Sequence, residues 1–104
     1  MKKIIISDVT LRDGNHAVKH QINRNIIKIY SKFAELNKID ILEVGHGNGL
    51  GASSLTIGRS KISNNEAIKL AKINLKNTKL SVHSIPGFST LDDVKSAIDN
   101  GVDI

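Results

Sequence analysis

Three side chains with complementary chemistry lie close together in the chain: the cation Arg12, the carboxylate Asp13 and the imidazole His16. An arginine stabilises a developing oxyanion, a carboxylate binds a divalent metal ion, and a histidine transfers protons near neutral pH. All three follow the apolar run Ile4-Ile5-Ile6, where a strand should end. Because the loops after parallel strands carry the chemistry of α/β enzymes, this cluster predicts an active site.

The elements that would position the cluster are strands that alternate with helices along the chain. Residues 4–8 predict a buried parallel strand, because the run is continuous and β-branched, and residues 39–44 and 79–85 predict two more strands. Residues 102–104 are typical of the start of a fourth strand. Such alternation indicates an α/β fold with a parallel sheet, and no linker divides residues 1–104 into two domains.

Helices are predicted between these strands. The first begins at the N-cap Asn23 and runs to about Leu36, and its apolar stripe is expected to pack on the sheet: Ile26, Ile29, Tyr30, Phe33 and Leu36. Ser63 with Glu66 has the spacing of a capping box and predicts the second helix. Thr90 with Asp93 gives a weaker signal for the third helix, which Gly101 ends.

A glycine-rich segment follows the second predicted strand. Residues 45–51 include four glycines, which permit sharp turns and close backbone approach. The whole connection, residues 45–62, is long for a loop between a strand and a helix. We therefore expect it to cover the site.

Composition narrows the functional classes. The net charge is +5, but the lysines are scattered and only three residues are aromatic, which disfavours a nucleic-acid site. The absence of cysteine excludes disulfides, a thiol nucleophile and a thiolate metal site. No apolar run approaches the length of a signal peptide or a membrane span, so we expect a cytoplasmic protein with no membrane partner.

The motifs together resemble those of a known family. The chain is similar, over essentially all of its 104 residues, to the N-terminal part of the 4-hydroxy-2-oxovalerate aldolases, which are metal-dependent lyases of aromatic-hydrocarbon catabolism built on a TIM barrel. The resemblance is carried by Ile6-Ser7-Asp8-Val9-Thr10-Leu11-Arg12-Asp13-Gly14-Asn15-His16-Ala17-Val18-Lys19-His20-Gln21, by Glu43-Val44-Gly45-His46-Gly47-Asn48-Gly49-Leu50 and by Ile85-Pro86-Gly87. Related acyltransferases share Thr-Leu-Arg-Asp-Gly but usually continue with an acidic residue, so His16 favours the aldolase branch.

The resemblance implies a role for each residue of the first motif. His16 matches the catalytic base, Arg12 matches the group that binds substrate and stabilises the enolate, and Asp13 matches a ligand of the metal and its bound substrate. Glu43 matches an acidic residue that orients Arg12 without touching substrate. The cofactor implied is Mn²⁺, with Mg²⁺ or Co²⁺ as alternatives. Without the wider motif, Arg12 and Asp13 would be interpreted as a surface ion pair and a turn residue.

Other polar residues follow the predicted strands. His46 either lines the pocket or solvates the glycine loop, and both interpretations stay open. His83 and Ser84 stand where the family has apolar residues near the aldehyde, which predicts a buried polar pair and a more polar aldehyde. Asn48 stands where the family more often has Asp. His20 has no specific role and is expected to pack near Gln21.

The resemblance also indicates what these residues do not supply. A TIM barrel needs eight βα units and about 250 residues, whereas three units and the start of a fourth strand are predicted here. The family's His-x-His metal ligands are absent, so we expect the isolated chain to be an inactive fragment that self-associates through open sheet edges. The expected substrate is a small 2-oxo acid, and an acylating aldehyde dehydrogenase is the partner that the family implies. The alternatives are a Claisen-type acyltransferase or acyl-CoA lyase, and a non-catalytic interaction module.

Overall fold

The computed structural model describes residues 3–54 and 58–104, which form an α/β layer around a three-stranded parallel sheet. The strands lie in the order β1 (Ser7–Asp8), β2 (Ile41–Val44) and β3 (Lys79–Val82). The helices are α1 (Thr10–Asp13), α2 (Arg24–Leu36), α3 (Asn64–Ile73) and α4 (Leu91–Asp99), and a 3₁₀ turn spans Gly14–His16. The predicted order of elements and the parallel pairing are confirmed.

The predicted helix starts are formed by side-chain caps. Asn23, Ser63 and Thr90 each accept a hydrogen bond from the backbone N–H three residues further on. At Thr90 the Asp93 carboxylate also accepts from the backbone N–H of Thr90, which completes a capping box. None of the helices in the described ranges is long and apolar enough to cross a membrane.

The core lies between the sheet and α3. Leu42 of β2 and Leu80 of β3 are fully buried, and so are Ile68 and Ala71 of α3. Parallel strands carry their apolar residues into such a layer because helices cover the sheet. This core fixes the carboxyl ends of β2 and β3, where the candidate site lies.

The prediction for the apolar stripe of α2 is wrong. Ile29 and Leu36 are 70% and 81% exposed, and Ile26 and Phe33 are about half exposed; only Tyr30 is partly buried against the core. The residues that α2 buries are instead Ile27, Ser31 and Ala34. The helix therefore packs through the face next to the predicted one, because residues 26 and 27 point about 100° apart around a helix axis.

The prediction of a buried first strand over residues 4–8 is also wrong. Only Ser7 and Asp8 are assigned to β1, and Ile4, Ile5 and Ile6 are 51–79% exposed. The run continues toward β2 through the Ile41 N–H, which donates to the Ile6 carbonyl at 3.1 Å, and through the Ile6 N–H, which donates to Asp40 Oδ2 at 2.9 Å. An edge strand that no described element covers leaves its side chains in water.

The other two ends of the sheet differ slightly from the prediction. The third strand ends at Val82 rather than at residue 85. Residues 102–104 are not assigned as a strand, but the N–H groups of Asp103 and Ile104 donate to the Leu80 carbonyl at 2.8 and 3.1 Å. The chain thus returns to the side of β3 where a next parallel strand would pair.

Candidate active site

The segment that carries Arg12, Asp13 and His16 is helical rather than an open loop. The Asp8 carboxylate accepts from the Thr10 N–H at 2.8 Å and from the Tyr30 hydroxyl at 2.6 Å, which anchors the start of α1. Burial opposes ionisation of Asp8, but these hydrogen bonds outweigh it and lower the pKa of the carboxyl. A charged Asp8 thereby stabilises the turn directly before the cluster.

Arg12 is held by two acceptors from the β2 side of the site. Its Nε donates to Glu43 Oε2 at 3.2 Å, and its Nη1 donates to the Gly47 carbonyl at 3.0 Å. Glu43 is 8% exposed at the end of β2, so the carboxylate and guanidinium form a charge-assisted pair that is largely shielded from water. The contact that the motif implied between Glu43 and Arg12 is present.

Asp13 stands apart from these buried groups. Its side chain is 68% exposed, and Oδ1 lies 3.6 Å from Arg12 Nη1. Its carboxylate suits a divalent cation. Within the described ranges, however, no group of three or more His, Cys, Asp or Glu side chains could hold a metal ion, so Asp13 has no set of neighbouring side chains that would complete a metal site.

His16 packs against the glycine loop. A Cβ added to Gly47 would lie 2.6 Å from both Cε1 and Nε2 of the His16 ring, so the ring rests directly on the Gly47 backbone. His16 remains exposed on its outer side. Gly47 therefore touches both functional side chains, Arg12 through its carbonyl and His16 through its Cα.

His46 is fully buried, which excludes the interpretation that it solvates the loop. The Asn48 N–H donates to His46 Nδ1 at 3.0 Å, so the proton sits on Nε2, which faces the Gly58 carbonyl at 2.8 Å. The His46 ring stacks on His20 with centroids 3.6 Å apart, and His20 meets the edge of His16 at 5.3 Å. Three imidazoles therefore form one cluster behind the site, in which His20 and His46 are stacked and His16 lies nearly perpendicular to His20.

His20 is more deeply placed than the sequence suggested. It is 5% exposed, and burial followed by the neighbouring His46 and His16 lowers its pKa, which favours the neutral ring. Its backbone adopts a positive φ of 61°. No local pattern indicates a stack between residues 26 positions apart, so sequence reasoning missed this arrangement.

Two asparagines of the site were also missed. Asn15 Nδ2 donates to the Gly45 carbonyl at 2.7 Å, which joins the 3₁₀ turn to the glycine loop. Asn64 Oδ1 accepts from the His46 N–H at 3.0 Å and so ties the start of α3 to the same loop. The described part of the glycine segment thus contacts the site as expected, although residues 55–57 lie outside the described residues.

His83 and Ser84 follow β3 but are not the buried pair that was predicted. Ser84 is exposed, and its hydroxyl pairs with that of Ser89. His83 is half-buried, its Nδ1 lies 3.9 Å from Glu43 Oε1, and its carbonyl accepts from the Leu50 N–H at 2.8 Å. Because β3 stops at Val82, these two residues reach the rim of the site rather than its interior.

Comparisons with known proteins give a consistent result. No protein-family model matches the chain. It is 53% identical over 102 residues to the 4-hydroxy-2-oxovalerate aldolase 2 of Salinispora arenicola, 48% identical to the 4-hydroxy-2-oxovalerate aldolase of Spirochaeta aurantia and 43% identical to that of Pectobacterium atrosepticum. These matches cover 97–99% of this chain but 29–30% of each relative, so the chain spans about three tenths of the length of the curated relatives it matches. The resemblance that the sequence motifs indicated is confirmed over that part.

Proposed function

We propose that this chain forms part of the catalytic domain of a metal-dependent aldolase that cleaves a 4-hydroxy-2-oxo acid to pyruvate and an aldehyde. One observation carries the proposal: the Gly47 carbonyl accepts from Arg12, while the His16 ring lies against the Cα of the same residue. A permanent cation and an imidazole therefore both contact Gly47, just beyond β2. The similarity to curated aldolases over 97% of the chain supports the same activity.

The two side chains suit the two demands of the cleavage. His16 accepts the proton of the C4 hydroxyl, and the electrons of that O–H bond form the aldehyde carbonyl. The C3–C4 bond breaks, its electron pair moves onto the C2 oxygen as an enolate, and C3 then gains a proton to give pyruvate. Arg12 uses Nε and Nη1 for protein contacts, and within the described residues its Nη2 makes no hydrogen bond, so that nitrogen can face the enolate oxygen.

Glu43 orients Arg12 in this proposal. Its carboxylate is mostly buried and accepts from the guanidinium at Nε, which leaves Nη2 available to face substrate. A second acceptor, the Gly47 carbonyl, fixes the rotation of the guanidinium plane. With the fork held from two sides, little reorganisation is needed when negative charge develops on the substrate.

Asp13 is the residue we assign to a divalent metal ion, with Mn²⁺ preferred over Mg²⁺ or Co²⁺. Its exposed carboxylate fits one ligand position, and the ion would act as a Lewis acid toward the carboxylate and ketone oxygens of the substrate. Asp13→Asn should raise the Mn²⁺ concentration needed for half-maximal activity by about tenfold or more. Asp92→Asn is the matched control, because Asp92 is an exposed carboxylate at the start of α4. It should leave the Mn²⁺ concentration for half-maximal activity unchanged.

Additional βα units would complete the fold. The three parallel strands and the exposed apolar side chains of residues 4–6 and of α2 support a barrel in which further elements cover both surfaces. The exposed apolar side chains of residues 4–6 and of α2 are surfaces that additional βα units would bury, since near-continuous apolar strands are normally covered by helices. An acylating aldehyde dehydrogenase that accepts the aldehyde is the partner we propose for the complete enzyme, on the resemblance alone.

His83 and Ser84 support a polar aldehyde. Both follow β3 at the rim of the site, at positions that are apolar in the family that the chain resembles, and there the His83 imidazole is half-buried and the Ser84 hydroxyl pairs with that of Ser89. A chimera in which this chain replaces the matched 102 residues of the Salinispora arenicola aldolase should cleave substrates that release hydroxylated aldehydes better than its parent does. Equal preference for acetaldehyde in the chimera and the parent would contradict this assignment.

The same chimera tests the proposed function. We expect pyruvate release from 4-hydroxy-2-oxopentanoate, measured by coupling to lactate dehydrogenase and NADH oxidation. Arg12→Lys, which keeps the charge but loses the planar fork, should lower kcat by about 100-fold. Arg24→Lys is the matched control, because Arg24 pairs with Glu66 on the surface, and it should have no effect.

Three results would overturn the proposal. A folded chimera without aldol cleavage would show that these residues do not support it. Condensation of the 2-oxo acid with acetyl-CoA would assign the chain to the acyltransferase alternative instead. Equal losses in the Arg12 and Arg24 variants would indicate a general effect of arginine replacement rather than catalysis by Arg12.

A further inference from the structure

Three buried polar atoms share one small cavity behind the site. Asn15 Oδ1, His20 Nε2 and Ser60 Oγ have no hydrogen-bond partner among the residues that the structure describes. All three residues line the same cavity of about 20 Å³, whose other walls are mainly apolar and include Leu11 and Ile27. Buried polar atoms in native proteins are almost always paired, so this convergence calls for a ligand.

The orientation of each atom is set by its surroundings. Asn15 Nδ2 donates to the Gly45 carbonyl, and turning the amide over would place two oxygens together, so Oδ1 must face the cavity as an acceptor. The Ser60 hydroxyl both donates and accepts. His20 is 5% exposed and lines the same cavity, and its buried Nε2 has no partner among the described residues.

The volume and the lining favour water over other ligands. A cavity needs about 10–15 Å³ to hold one water molecule, which also requires two to four polar partners. The cavity here is slightly larger and offers three partners. No carboxylate lines it, whereas a metal cation would require several oxygen ligands.

We propose that a single buried water molecule occupies this cavity, donates to Asn15 Oδ1 and His20 Nε2, and accepts from the Ser60 hydroxyl. The arrangement uses both water protons and satisfies all three protein atoms. It places the His20 proton on Nδ1. The water also joins the motif segment, through Asn15 and His20, to the end of the glycine segment at Ser60.

The water positions His16 through the cluster of three imidazoles, a consequence that rests on the proposed function. His20 lies between His46, stacked at 3.6 Å, and His16, whose edge it meets at 5.3 Å. His46 is locked by its bonds to Asn48 and Gly58. With the water bound to His20 Nε2, both His20 and His46 are fixed, and these rings support His16.

A crystal structure of the chimera tests the water directly, with Ser60→Ala as the variant. We expect density within hydrogen-bonding distance of all three atoms in the parent chimera, and weakened or absent density in Ser60→Ala. Ser31→Ala is the matched control, because the Ser31 hydroxyl is also buried with no partner among the described residues but does not line the cavity. It should keep the water.

Two solution measurements extend the test. Nitrogen-15 NMR of the histidines should show neutral His20 with its proton on Nδ1 at pH 7. Ser60→Ala should lower kcat about tenfold with KM unchanged, as expected when the support of a catalytic group is loosened, while Ser31→Ala should leave both unchanged. A lower kcat with an unchanged KM is a result that a purely structural role of Ser60 would not produce.

Each outcome decides the inference separately from the proposed function. A dry cavity in the parent chimera, or a His20 proton on Nε2, overturns the water site. Water without any change of kcat in Ser60→Ala overturns the positioning of His16. An inactive parent chimera that nevertheless shows the water refutes the proposed function and leaves the water site supported.

Discussion

Replacing Gly47 by alanine should separate catalysis from folding at this site. The new Cβ would lie 2.6 Å from Cε1 and Nε2 of His16, whereas ordinary contacts begin at 3.4 Å. The ring must therefore move by at least about 0.8 Å, and a displacement near 1 Å of a catalytic group costs about 100-fold in rate. That corresponds to about 2.7 kcal/mol in the activation free energy.

The fold should tolerate the same substitution. Gly47 has no positive φ, so alanine introduces no backbone strain there. The ring that must move belongs to an exposed side chain, and His16 can swing toward solvent. We therefore expect Gly47→Ala in the chimera to lower kcat about 100-fold in the coupled pyruvate assay, with an unchanged Tm.

Gly14→Ala, in the segment that carries His16, is the matched glycine control. No atom lies within 4 Å of a Cβ at Gly14, and its φ of −61° is helical, so full activity is expected. A Gly47→Ala enzyme within about threefold of the parent would refute the placement of His16 against the glycine loop. So would an equal loss in Gly14→Ala.

Two further predictions concern charged groups. Glu43→Gln should lower kcat by about 10- to 100-fold, because a hydrogen bond to a charged group contributes about 1.5–3 kcal/mol, while Glu66→Gln on the surface should be neutral. The backbone N–H of Leu80, and then the Lys72 ammonium, lower the pKa of Asp103 from its ordinary 3.8. The charged Asp103 carboxylate therefore stabilises the fold fully at neutral pH, and this contribution is lost as the pH falls below 3.8. Asp103→Asn should therefore lower the urea midpoint at pH 7 but much less at pH 3, and an equal difference at both values would contradict this.

The helix starts were predictable because they depend on local contacts. Asn23, Ser63 and Thr90 bond to N–H groups three residues away, so the residue type and its spacing are sufficient. The parallel order of strands follows from alternation for a similar reason. The orientation of α2 was not predictable in this way, since its apolar stripe is exposed and the neighbouring face at Ile27 is buried.

The candidate site also has features that the sequence predicts and features that depend on tertiary contacts. The sequence by itself determined which chemical groups are present, Arg12, Asp13 and His16, because they lie close together in the chain and their types define the possible chemistry. Only the tertiary structure decided that Gly47 touches both Arg12 and His16, and that His20 stacks on a residue 26 positions away. Such contacts arise where separate segments meet after the strands have paired, and side-chain periodicity contains no information about that meeting point.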